Sequence, residues 1–168
     1  MVTMDRRAYE RHKTQAAGRQ ATISAAGREI GPLPPVRNPE RKRRALASFQ
    51  FFMEAYLGQI FNLPWSEDHL HAIERIELAA TKGGLYALAM PRGTGKTSMC
   101  DAATIWAPAT GRRRFAFLFA ANQSAANDRI EAIKRELSTN ELLADDFPEI
   151  VYPIRCLEGI ANQIGRAS

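Results

Sequence analysis

The residue types and spacing best suited to chemistry lie in one stretch, Pro91–Thr97, of sequence Pro-Arg-Gly-Thr-Gly-Lys-Thr. Glycine-rich loops of this kind hold phosphate groups on consecutive backbone N–H groups, and a following helix N-terminus adds partial positive charge. Gly93 and Gly95 allow the close backbone approach that side chains would block. Lys96 is predicted to reach the β- and γ-phosphates, and the Thr97 hydroxyl to bind Mg²⁺.

This stretch predicts a site for the phosphate groups of a nucleotide, with Mg²⁺ bound beside them. The predicted cofactor-binding residues of the loop are Pro91, Arg92, Gly93, Thr94, Gly95, Lys96, Thr97 and Ser98. Arg92 and Lys96 are the candidate catalytic residues, because a cation beside the γ-phosphate stabilises charge during transfer. Surface solvation or a salt bridge is the alternative role for Arg92. The usual pattern begins with glycine, where this chain has Met90, but its place between an apolar run and a helix favours a phosphate loop over a chance match.

Short apolar runs flank this loop in the chain. Leu85–Met90 and Phe115–Ala120 have the length and continuous apolarity of strands buried on both faces of a parallel sheet. Ile150–Ile154 predicts a third strand, placed at an edge by Pro153. The predicted fold class is therefore α/β: an incomplete P-loop NTPase parallel sheet with flanking helices, preceded by a basic helical N-terminal arm.

Capping residues and apolar spacing predict the helices. A polar helix is predicted over 5–19, and further helices over 97–106, 124–137 and 140–145. A helix capped by Asn38 starts at Pro39 and docks onto the core through Phe49, Phe52 and Tyr56; its apolar face comprises Leu46, Phe49, Met53, Tyr56 and Ile60. Another helix runs from Ser66 to about Lys82 and is predicted to bury Leu70, Ile73, Ile76 and Ala80. Asn122 or Ser124 is predicted to cap the 124–137 helix.

Positive charge is concentrated at the N-terminus. Of the formal net charge of +5, residues 1–44 carry +7, and the remainder carries −2. We therefore predict two parts: a basic, partly disordered N-terminal arm at 1–44, and the N-terminal part of a P-loop ATPase domain at 45–168. The arm suits a polyanion such as nucleic acid, and a solvated tail is the alternative. No apolar run has the roughly 20 residues that span a membrane. Cys100 and Cys156 are predicted to be small buried thiols.

Two stretches resemble a known family. Phe61–His69 (Phe-Asn-Leu-Pro-Trp-Ser-Glu-Asp-His) and Gly83–Thr97 resemble the N-terminal ATPase region of tailed-phage terminase large subunits. In that family the Walker A loop often lacks its first glycine and carries an arginine, as Met90 and Arg92 do here. The resemblance covers roughly residues 45 to 160. It implies an ATP-driven motor that moves viral DNA into a procapsid in the host cytoplasm. The implied partners are double-stranded DNA, bound in part through the basic arm, the portal and the small terminase subunit.

The same resemblance bears on His69. Terminases contact adenine through a glutamine upstream of Walker A, and His69 occupies about that place, so it is a candidate cofactor-binding residue. The alternative is a surface histidine in the first turn of a helix, and His71 is expected to face solvent.

ATP hydrolysis needs carboxylates, and this sequence lacks the arrangement of carboxylates that terminases use. An apolar strand ending in Asp-Glu and the nuclease residues are both missing after Lys96. Asp145-Asp146 is a weak candidate pair, because the preceding apolar run is short and helix-like. We therefore expect a fragment that binds ATP and hydrolyses it poorly, and its status as an enzyme stays open. The alternatives are another P-loop ATPase, such as a helicase-like enzyme or small kinase, and a non-catalytic nucleic-acid-binding fragment.

Overall fold

Helices make up the architecture of the chain. The computed structural model describes residues 6–26 and 30–166, and within these ranges it contains eight helices and no strand. They are α1 (Arg6–Ala26), α2 (Pro39–Ala47), α3 (Phe49–Tyr56), α4 (Glu67–Thr81), α5 (Lys96–Ala109), α6 (Gln123–Thr139), α7 (Glu141–Asp146) and α8 (Pro148–Arg166).

The predicted parallel sheet is wrong. Residues 85–90 and 115–120 connect helices, but neither run forms a strand. No described residue forms a backbone–backbone hydrogen bond with either run. Leu85 and Phe119 are 101% and 93% exposed, whereas the apolar runs predicted burial on both faces. The physical reason is that a strand exists only where a second strand pairs with its N–H and C=O groups. Local apolarity cannot supply that second strand.

The predicted third strand is also wrong, because Ile150–Ile154 lies inside α8. Pro148 opens this helix at its first position, where the missing N–H costs nothing. Val151 is fully buried, and Ile150 packs against the same core. Pro153 lies within the helix as well. Its presence suggested a sheet edge, but the first-turn geometry and the apolar spacing of this segment favour the helix instead.

The long helix predicted from Pro39 is interrupted at Ser48. The Ser48 N–H donates to Arg44 O and ends α2, while its side chain accepts from Phe51 N and begins α3. Ile60 consequently lies beyond α3 and is 44% exposed, contrary to its predicted place on the apolar face. The predicted docking residues Phe49, Phe52 and Tyr56 are buried, as expected.

The core lies where α3 and α5 meet, with α7 and the start of α8 completing it. Phe49 and Trp106 stack at 5.2 Å, and the Trp106 indole Nε1 donates to Ala45 O at 2.8 Å. Phe52 packs edge-on against Phe147. Met99, Ala102, Ile105 and Trp106 are buried along α5, so the helix that follows the loop is packed into the core.

The other predicted helices are present with shifted bounds. Ser66 caps α4 and Asn122 caps α6, as predicted. On α4, Ile73 is buried, but Leu70 is 42% exposed, contrary to its predicted burial. The spacing of Leu70 correctly predicted a helix, but no element among the described residues covers that side of α4.

Asp146 is buried at the centre of a polar cluster. Its carboxylate accepts from Arg41 Nε at 2.5 Å, from the Tyr56 hydroxyl at 2.7 Å and from Asn38 N at 2.9 Å. Burial and the neighbouring Asp146 carboxylate raise the pKa of Tyr56. Asp145 pairs with Arg37 on the surface. The weak candidate Asp145-Asp146 pair is therefore structural, joining the start of α2 to α7.

The basic arm divides into two kinds of residue. Arg11, Lys13 and Arg19 are exposed on α1. Arg41 and Lys42 form ion pairs with α7 and α8, so part of the arm's charge is used within the molecule. The predicted helix over 5–19 is confirmed from residue 6 and extends to 26. The predicted boundary between residues 44 and 45 lies within α2 and stays a prediction. The arm was also predicted to be partly disordered, and its residues 1–5 and 27–29 lie outside the described residues.

Candidate phosphate-binding site

The glycine-rich loop (Pro91–Thr97) runs into the N-terminus of α5, and its last two residues, Lys96 and Thr97, begin that helix. Gly93 and Gly95 have φ angles of 82° and 75°, in the left-handed region that favours glycine. A Cβ added to either residue would meet no atom within 4 Å. The two glycines are therefore required by backbone conformation, and the space beside them is open to a ligand.

The first turn of α5 differs from that of its neighbours. The caps of five helices accept a backbone N–H through a side chain: Asn38, Ser48, Ser66, Asn122 and Asn140. The cap of α5 is Gly95, which has no side chain for this purpose. The first N–H groups of α5 are thus left without a side-chain acceptor, and an anion is the natural partner for such groups.

Lys96 folds its side chain back over the loop. Its Nζ donates to Met90 O at 2.5 Å and to Pro91 O at 2.7 Å. Thr94 Oγ1 donates to the same Pro91 carbonyl at 2.9 Å. An ammonium group has three donors, so one remains for a phosphate oxygen. The lysine both shapes the loop and brings a positive charge to its concave side.

Thr97 has an exposed hydroxyl that no described residue engages. The hydroxyls of the other threonines within described helices, and of the α5 C-cap Thr110, donate to a carbonyl three or four residues earlier: Thr14, Thr22, Thr81, Thr104, Thr110 and Thr139. A free hydroxyl oxygen in the first turn fits a hard cation such as Mg²⁺. In the described part of the chain, no three His, Cys, Asp or Glu residues form a metal cluster. Mg²⁺ bound here would therefore depend on phosphate and water oxygens for its other ligands.

His69 connects α4 to the loop. Its Nδ1 lies 2.6 Å from Ser66 Oγ in a capping box, and its Nε2 lies 2.9 Å from Thr94 O. A carbonyl only accepts, so Nε2 carries the hydrogen and donates it. His69 does lie in the first turn of α4, as the alternative interpretation of this residue predicted. His69 is also within reach of the site, whereas His71 is exposed as expected.

An aromatic cavity of about 200 Å³ opens beside the loop. Its lining includes Phe61, Leu63, Pro64, Trp65, His69 and the segment Gly93–Gly95, with the half-buried Ser98 at the same wall. Phe61 and Trp65 stack at 5.5 Å, and Trp65 packs edge-on against His69 at 5.8 Å. Sequence reasoning assigned no role to Phe61 and Trp65. Both belong to the terminase-like stretch Phe61–His69, and their aromatic character just before a helix cap was a further signal.

A second cavity of about 250 Å³ adjoins the last two residues of the loop. Lys96, Thr97, Asp101 and Arg129 all contribute to its lining. Arg129 Nη1 binds Asp101 Oδ2 at 3.1 Å. Burial raises the pKa of Asp101, and the guanidinium partly opposes that change. Cys100, predicted to be buried, also lines this cavity and is exposed.

The remaining predicted residues take less specific positions. Pro91 and Arg92 are exposed, and no described residue offers the Arg92 side chain a hydrogen bond or an ion pair. Neither residue lines the two cavities beside the loop. The catalytic role of Arg92 therefore stays a prediction, while Lys96, Thr97, Ser98 and His69 gather around the loop.

Comparison with known proteins adds no family to this description. The chain matches no protein-family model, no curated protein and no solved structure. Within the residues that the structure describes, no helix has the length and apolarity needed to cross a membrane.

Proposed function

We propose that this chain binds ATP through the glycine-rich loop and serves as the ATP-binding part of a viral DNA-packaging motor of the terminase type. The observation that carries the proposal is the uncapped N-terminus of α5, reached through two positive-φ glycines and overlaid by Lys96. The terminase-like stretches around residues 61–69 and 83–97 support the motor assignment.

The phosphates occupy the open side of the loop in this proposal. Backbone N–H groups after Gly93 and the first N–H groups of α5 donate to phosphate oxygens. Lys96 supplies the remaining donor of its ammonium group to the β- and γ-phosphates. Thr97 provides one oxygen to Mg²⁺, which neutralises part of the phosphate charge.

The nucleoside lies in the aromatic cavity. Phe61 and Trp65 offer apolar ring surfaces on which a planar base stacks, and the cavity shares Gly93–Gly95 with the phosphate loop. His69 holds Thr94 O by its Nε2 and presents its ring edge to the same space. A purine ring buries more surface there than a pyrimidine, which favours ATP over smaller nucleotides.

Slow turnover is part of the proposal. Asp101 is the one carboxylate among the described residues that line the two cavities beside the loop, and it is paired with Arg129. Activating water and holding Mg²⁺ together require more than one acid. We therefore expect the chain alone to bind ATP with little hydrolysis.

DNA is the second expected ligand and belongs to α1. Arg11, Lys13 and Arg19 are exposed there, whereas Arg41 and Lys42 are held by Asp146 and Glu149. Contacts of α1 with the phosphate backbone would be independent of sequence and strongly weakened by salt. The same exposure favours the second candidate function, a nucleic-acid-binding fragment without nucleotide affinity.

Calorimetric titration with MgATP tests the proposal. Lys96→Ala is expected to weaken binding by roughly 10- to 100-fold, since a charged hydrogen bond contributes about 1.5–3 kcal/mol. Lys82→Ala, which removes an exposed lysine outside both cavities, is the matched control and is expected to bind as the wild type does. Equal affinities of wild type and Lys96→Ala would contradict the proposal.

The second candidate requires a different variant. Deleting residues 1–29 removes α1 but spares Asn38 and Arg41, whose contacts with Asp146 a deletion to residue 44 would destroy. Loss of salt-sensitive duplex binding in this deletion, with no ATP affinity in the full chain, would select the nucleic-acid-binding function.

A further inference from the structure

Three phenylalanines form an exposed stripe before α6. Phe115, Phe117 and Phe119 are 71%, 76% and 93% exposed. Their rings follow one another at centroid distances of 5.2 Å and 6.4 Å. Side chains two residues apart contact each other in this way on one face of an extended chain. A stripe of this kind is more apolar than a soluble surface normally leaves open.

The backbone of the same segment has no partner within the described ranges. No described residue forms a hydrogen bond with an N–H or C=O group of residues 115–120. Leu118 is half-buried against the core and anchors the segment. An anchored, apolar segment with unpaired backbone groups is a template for pairing with another chain.

We propose that Phe115–Phe119 pairs antiparallel with the same segment of a second copy of this chain. The two-fold axis passes through Phe117, so that Phe117 lies opposite the partner's Phe117. Phe115 then lies opposite the partner's Phe119, and the reverse holds on the other side. The interface is isologous, as in most homodimers, and places all six rings on one face.

The sequence order of the segment favours a second copy as the occupant. Phe-Ala-Phe-Leu-Phe has an aromatic residue at every other position on both sides of Phe117, so it complements itself when one copy is reversed. A strand of unrelated sequence would have to reproduce this spacing, whereas a second copy has it already.

Charge selects the antiparallel direction. Arg112, Arg113 and Arg114 immediately precede the segment. Parallel pairing in register would bring the two arginine triplets together, and like charges directly opposite each other are unfavourable. Antiparallel pairing places the triplets at opposite ends of the interface, where each lies near the neutral stretch 120–122 of the partner.

The area that this pairing covers is small, which predicts a weak dimer. A phenylalanine offers roughly 150–250 Å² for burial, so the three rings expose on the order of 500 Å² in each copy. Because all six rings lie on one face of the paired strands, the pairing covers only the flanks of facing rings, and the buried area stays below the roughly 1,000 Å² of specific interfaces. The backbone hydrogen bonds between the two segments therefore contribute much of the affinity. We therefore expect a reversible dimer that forms as the concentration rises.

Cysteine cross-linking tests the pairing and its register. In a chain carrying Cys100→Ser and Cys156→Ser, Phe117→Cys is expected to give a disulfide-linked dimer under mild oxidation, because facing residues of an antiparallel pair lie about 4.5–5.5 Å apart. Phe115→Cys is the matched control, since its two copies would lie roughly 14 Å apart along the strands. Equal cross-linking of the two variants, or none with Phe117→Cys, would overturn the proposal.

Sedimentation equilibrium of the unmodified chain gives an independent readout. A reversible monomer–dimer equilibrium is expected in the wild type, and Phe117→Lys is expected to be monomeric with the same helical circular dichroism. A wild type that stays monomeric, or that forms only larger aggregates, would rule the dimer out.

Discussion

Replacing Asp146 by asparagine is expected to be among the most destabilising single changes in the molecule. The carboxylate is fully buried and accepts three hydrogen bonds, from Arg41 Nε, the Tyr56 hydroxyl and Asn38 N. Asparagine keeps the shape of the side chain but removes its charge. Its NH₂ group would also face a donor at one of these positions, where a hydrogen bond cannot form.

The magnitude follows from the burial of this cluster. Breaking a buried charge pair by removing one partner typically costs about 3–5 kcal/mol, because the other charge is left without compensation. The Arg41 side chain is 26% exposed, so water relieves part of that cost and the lower end, about 3 kcal/mol, is expected. That is a large fraction of the roughly 5–15 kcal/mol by which domains are stable.

Urea unfolding followed by circular dichroism measures this effect. Asp145→Asn is the matched control, because Asp145 pairs with Arg37 on the surface and the Arg37 side chain is 75% exposed. Exposed pairs contribute about 0–1 kcal/mol. Equal losses of unfolding free energy in the two variants would refute the reasoning that Asp146 joins α2 to α7.

Three further predictions concern Tyr56, Thr97 and His69. The raised pKa of Tyr56 means that the unfolded chain loses this proton first, so stability falls as pH rises above about 10. The stability difference between wild type and Tyr56→Phe in urea should therefore shrink above that pH, and a constant difference would contradict this sign. Thr97→Val should abolish the enhancement of ATP affinity by Mg²⁺ in calorimetry; an unchanged enhancement would exclude the hydroxyl as a ligand. His69→Ala should weaken ATP binding by roughly 2- to 10-fold through loss of the Thr94 contact, with His71→Ala as the control that stays unchanged.

Local signals in the sequence were sufficient for the caps and the loop. Asn38 and Ser66 cap their helices as predicted, since a cap depends on residues within one turn. Gly93 and Gly95 have the positive φ angles that a phosphate loop needs. These features are encoded by neighbouring residues, which is why spacing alone identified them.

Features that depend on distant partners were not predictable in this way. The runs at 85–90 and 115–120 have the apolarity of strands, but pairing depends on a second segment elsewhere. Asp146 is buried because Arg41, 105 positions earlier, reaches it. His69 contacts Thr94 across 25 positions. Apolar spacing and single-residue types contain no information on such pairs.

The central claim is that phosphate groups bind at the glycine-rich loop, and amide chemical shifts test it most directly. In a ¹H–¹⁵N spectrum of the full chain titrated with MgATP, we predict the largest changes at the amides of Gly93, Gly95, Lys96 and Thr97. Exposed arginines of α1 attract any polyanion, so their neighbourhood provides the internal comparison. Shifts confined to α1, with the loop amides unchanged at saturating MgATP, would contradict the account.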